Sequence, residues 1–164
     1  MFIREYLTTQ HVRFEILLHR PVASATRLAH SVHVPGRSVV KVVVICAGER
    51  MVLAVLPSTH RVDLGLLGTH LGETARLATP DELADLFADC EPGALPPFGR
   101  LYGLETVVDR SLSGGPVIVF EANTRFEGVR MRYEDYEAIE RPTLAAFASA
   151  IDPKRPTAAE RKAG

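Results

Sequence analysis

Two almost uninterrupted apolar runs, VVKVVVICA at 39–47 and MVLAVLP at 51–57, stand on either side of Gly48-Glu49-Arg50. Runs so rich in β-branched residues read as strands, and a three-residue connection containing glycine has the length of a hairpin loop. The short turn implies antiparallel pairing. Apolar character on both faces means that both sides of the hairpin must be covered, which places it at the centre of the fold. A chain of 164 residues with 46% hydrophobic content can build one such core, not two. We therefore expect a single domain over residues 1–151.

The other elements are arranged around this centre. Segment 12–18 alternates Val12, Phe14, Ile16 and Leu18 against more polar neighbours, the period of a strand with one buried face. Ser24 can cap a short helix through His30, which the turn Val34-Pro35-Gly36 ends. A helical turn suits 63–67. Thr79-Pro80-Asp81-Glu82 opens a helix to about Phe87, with Thr79 as N-cap, proline at the first helical position and Glu82 completing a capping box. Further strands are expected at 106–109, 117–121 and 128–133, and closing helices at 133–140 and 142–150. Residues 152–164 are charged and poor in large apolar groups, so disorder is expected there. Strands outnumber helices and do not alternate with them strictly. The expected fold class is α/β of the α+β type, a mixed, mainly antiparallel curled sheet packed by helices.

Charge narrows the partners: 19 basic and 20 acidic side chains nearly cancel, so a polyanion would need a local patch, such as Arg125, Arg130 and Arg132, or a second protein. The first ten residues carry Arg4 and Glu5 and no long apolar run, and no stretch reaches membrane-spanning length. A cytoplasmic protein without a membrane partner is expected. Cys46 and Cys90 form no CxxC pair, and His30 and His33 lack a carboxylate at ligand spacing, so neither a metal nor a cofactor is expected.

Three places invite chemistry. Lys41 interrupts a run in which every neighbour suits a core; it is either a strand-edge lysine that blocks further pairing or an ammonium aimed into a pocket. The loop DCEPGALPPFG at 89–99 has three prolines and two glycines in eleven residues, so it is either a rigid connector or a frame that offers fixed N–H groups to a ligand. Phe120-Glu121-Ala122-Asn123-Thr124-Arg125 places small polar groups where a strand ends, as a turn or as a binding edge. Cys90 has no base beside it in sequence and reads as a structural thiol before a nucleophile.

Taken together, the lysine in an apolar strand, the loop with its GxxxPxG core and the late F-x-A-x-[ST] segment leading to VRM resemble the YbaK / prolyl-tRNA synthetase-associated editing domains, from about His19 to Phe147. That resemblance implies a metal-independent deacylase that clears wrongly attached amino acids from the 3′ end of mischarged tRNA, with a synthetase as a further partner. It places the essential lysine of the family on Lys41. The substrate loop falls on Gly93, Ala94, Leu95, Pro96 and Pro97, continued by Phe98 and Gly99. The usual final Gly-[ST]-His element falls on Asn123, Thr124 and Arg125, so both its glycine and its histidine are replaced. Arginine stays protonated and cannot act as a general base. The alternative is therefore a tRNA- or synthetase-binding module that kept the fold and lost turnover.

Overall fold

The computed structural model describes residues 2–21, 28–29 and 32–151. The expected helix from Ser24 to His30 and the expected disorder of 152–164 lie outside the described residues, apart from Leu28 and Ala29. The central hairpin is present, formed by β2 (Val40–Ala47) and β3 (Arg50–Pro57) in antiparallel register from Val40–Pro57 to Ala47–Arg50. Arg50 already belongs to β3, and Gly48 takes the turn with φ of 59°.

Five strands make the larger sheet, with β2 and β3 inside it. β5 (Ala75–Leu77) lies antiparallel to β2, while β6 (Glu105–Asp109) and then β9 (Thr143–Ala145) continue parallel beyond β3. A second, antiparallel sheet of three strands places β8 (Thr124–Arg132) between β1 (Phe14–Leu18) and β7 (Val117–Ala122). A small third pairing joins β4 (His60–Val62) to β10 (Ala148–Ala150). The main core lies between the two larger sheets, where Val40, Val44, Phe98, Phe120 and Tyr136 pack together. A second core on the opposite face of β2 and β3 holds Ile45, Val52, Leu56, Leu67 and Phe147.

Four helices are described: α1 (Ile3–Thr9), α2 (Leu64–Leu71), α3 (Pro80–Leu86) and α4 (Tyr133–Glu140). The capping box of α3 forms as its sequence dictates, with Thr79 accepting from the Glu82 N–H and Glu82 accepting from the Thr79 N–H. The expected helix at 142–150 does not form. Arg141 ends α4 in the left-handed region at φ 51°, and the chain beyond Pro142 splits into β9 and β10 instead. The cause is tertiary: the Asp109 carboxylate accepts the N–H groups of Phe147 and Ala148 and holds the corner between the two strands. Local helical spacing loses to ladder pairing on both sides of that corner.

Candidate active site

β5 pairs only with Ile45, Cys46 and Ala47, so the Val40–Val44 edge of β2 has no strand beside it among the described residues. The two large sheets meet at one isolated parallel bridge, Val39 to Val119. Beyond it β2 and β7 diverge, and a cavity of about 640 Å³ opens along the free edge. Lys41, Gly93, Leu95 and Arg125 all line it, joined by Glu121 from the end of β7.

Side chains alternate across a strand. Val40, Val42 and Val44 face the core that contains Phe98, while Lys41 shares the other face with Val43 and Ile45. Lys41 and the Gly93–Leu95 segment thus reach one cavity from opposite faces of β2. The Lys41 Nζ donates to the carbonyl of His60 at 2.5 Å. Burial lowers its pKa below the ordinary lysine value, and the nearby Arg61 guanidinium lowers it further.

The loop from Glu91 begins with a type II turn: Pro92 precedes Gly93, whose φ is 85°, and the Ala94 N–H closes the turn on the Glu91 carbonyl at 3.0 Å. The Ala94 and Gly99 N–H groups are thus engaged, the latter by Thr106 Oγ1 at 3.0 Å, while Pro96 and Pro97 have none to offer. Those of Gly93 and Leu95 have no partner among the described residues, and both residues line the cavity.

The remaining sequence candidates do not line the cavity. Phe98 is fully buried and makes edge contacts with Tyr6, Phe120 and Tyr136. The Pro97 carbonyl accepts the Tyr136 hydroxyl at 2.8 Å, and a Cβ at Gly99 would stand 2.4 Å from Thr106 Oγ1. These residues therefore fix the loop from behind. Asn123 is 1% exposed at φ 66°; its Oδ1 accepts the Ile3 N–H at 2.9 Å, and its Nδ2 donates to the Asp89 carbonyl and to Cys90. It ties α1 to the start of the loop. Thr124 follows as the first residue of β8, and the Arg125 N–H donates to Glu91 Oε2 at 2.8 Å, anchoring the loop again. Cys90 is also outside the cavity lining, and burial pushes its thiol up to about 11, so it is protonated at neutral pH. Among the described residues no group of three potential ligands could hold a metal ion, and no helix is long and apolar enough to cross a membrane.

Glu121 was not singled out by the sequence reading, although it stands within the F-x-A-x-[ST] segment. The only available signal was a carboxylate near the end of an apolar strand.

A half-buried lysine on the central hairpin of a mixed sheet thus borders one cavity together with a Pro-Gly turn. The family model of the aminoacyl-tRNA editing domain matches residues 19–139, and the chain belongs to that family. Over 98 residues it is 36% identical to the Multifunctional Ser/Thr-tRNA deacylase ProXp-y of Escherichia coli strain K12, and equally to that of Escherichia coli O157:H7. The match covers 58% of this chain and 58% of the relative, so the chain spans rather more than half the length of those proteins. Among solved structures, the hypothetical protein APE2540 superposes with a TM-score of 0.82 at 17% identity, covering 90% of this chain and 99% of that one. A candidate trans-editing enzyme for prolyl tRNA synthetase gives a TM-score of 0.81 at 22% identity, covering 90% and 95%. These two likenesses show the fold.

Proposed function

We propose that the protein is an aminoacyl-tRNA deacylase that acts in trans on the ester of mischarged tRNA. The observation that carries the reading is that Lys41 lines one cavity with Gly93 and Leu95, whose N–H groups have no partner among the described residues. A space of about 640 Å³ suits an aminoacylated ribose. The ester carbonyl faces the Gly93 and Leu95 N–H groups, which stabilise the oxyanion as water attacks. Lys41 holds the terminal ribose or phosphate with the donors that His60 leaves over. The substrate's own ribose hydroxyl assists with the proton, because Arg125 cannot serve as a base. No step requires a metal.

Leu77, Leu83 and Leu95 form an apolar wall against which the amino-acid side chain is sorted by size. One methylene changes binding there by only about 1–3 kcal/mol, the reason that a synthetase benefits from separate editing. The relative named as a Ser/Thr-tRNA deacylase supports small side chains as the target. The partner is the 3′ end of a mischarged tRNA in the cytoplasm, with a synthetase as a second partner.

The test is amino-acid release from a panel of mischarged tRNAs, with seryl, threonyl and alanyl esters included. Release well above the spontaneous rate from at least one ester supports the reading. Arg125 in place of the family histidine favours a second reading, a binding module without turnover. Salt-sensitive binding of tRNA with no release from any ester would establish that one instead.

A further inference from the structure

The Val39–Val119 bridge is parallel. Counting two residues along each strand brings Lys41 and Glu121 to corresponding positions on the two diverging walls of the cavity. Both line it. On β7, Ile118, Phe120 and Ala122 point into the main core, so Glu121 shares the opposite face with Val119, next to Leu28 and Val39. The carboxylate is half-buried and accepts no hydrogen bond from the described residues. It forms no ion pair with Lys41 across the opening. Glu121 is the one carboxylate among the described residues that line the cavity, which otherwise offers cations, N–H donors and apolar side chains.

An aminoacyl ester differs from every N-blocked ester by its free α-amino group, with an ordinary pKa of about 7.7–8.0 and so largely cationic at neutral pH. A half-buried carboxylate with vacant acceptor sites binds such a group through short, charge-assisted hydrogen bonds. We propose that Glu121 is the subsite for the substrate's α-ammonium, so that the protein cleaves aminoacyl esters with a free amine and spares N-blocked esters such as those of peptidyl-tRNA. This rests on the deacylase reading. The desolvation that raises the carboxyl pKa of Glu121 is opposed by His19 and Arg125, which favour the anion. With the α-ammonium on Glu121 and the ribose near Lys41, the intervening ester lies along the wall formed by Gly93 and Leu95.

The experiment compares kcat/KM for seryl-tRNA, or whichever ester of the panel is cleaved fastest, with that for its N-acetyl derivative. Wild type should prefer the free amine by tenfold or more. Glu121→Gln should lower the free-amine rate at least tenfold and leave the N-acetyl rate unchanged, and Glu121→Asp should recover part of the preference. An equal fall on both esters in Glu121→Gln, or a wild type indifferent to acetylation, overturns the subsite while leaving the deacylase reading intact. Failure of wild type to cleave either ester overturns both.

Discussion

The Lys41 Nζ lies 2.5 Å from the carbonyl oxygen of His60, so β4 holds the ammonium at the border of the cavity. One of its three donors is occupied in this way, and two remain for a ligand. The same strand edge that gives Lys41 access also opens the cavity, because β5 stops short of Val44.

Glu140 gives a pH signature. It is 1% exposed, and its carboxylate accepts the Thr106 hydroxyl and the Arg100 N–H behind the loop. Burial raises its pKa in spite of these bonds. The folded state therefore holds the proton more tightly than the unfolded chain, whose value is about 4.3. Its contribution to stability is complete below that value and is lost as pH rises through the folded pKa. Glu140→Gln keeps an acceptor and removes the titration. Urea midpoints from about pH 4 to 8 should climb for the variant relative to wild type; a constant difference would contradict this.

Asn123 should matter for folding more than for chemistry. Asn123→Ala removes the partners of the Ile3 N–H and the Asp89 carbonyl and leaves a left-handed φ to alanine. Urea denaturation should register a loss of about 2 kcal/mol or more, with faster amide exchange along α1. Unchanged stability with selective loss of deacylation would instead return Asn123 to the substrate site.

Cys90 lies in a cluster with Asp89, Tyr102 and Asn123, and burial raises its pKa to about 11. Alkylation at pH 7 should be slow, since the thiolate is the reactive form. Cys90→Ala should retain deacylation within about twofold, a modest packing change away from the cavity. Rapid alkylation with loss of activity would mark a nucleophile.

Elements written in local code were legible. The hairpin and the Thr79–Glu82 capping box each depend on residues close in sequence, and each forms. α1 was missed because its N-cap Phe2 offers no side-chain cap bond. The strand pair at 143–150 read as a helix, since nothing near Phe147 announces that the distant Asp109 will take its N–H. In the candidate site, residue types pointed to Lys41 and the loop, of which Lys41, Gly93 and Leu95 line one cavity. Whether a loop residue faces substrate or core depends on the opposite side of the fold: Tyr6, Phe120 and Tyr136 claim Phe98, and Thr106 claims Gly99. Glu121 escaped notice because its position opposite Lys41 arises from a bridge between Val39 and Val119, far apart in sequence.

The most direct measurement is single-turnover release of amino acid from a mischarged tRNA by Lys41→Ala beside wild type, with unfolding midpoints recorded for both. Loss of the cation that holds the terminal ribose or phosphate misplaces the ester and predicts a fall on the order of 100-fold. Removing a half-buried ammonium should leave the midpoint nearly unchanged. Equal rates in the two proteins would contradict the account, because the cavity would then be working without the cation around which it is built.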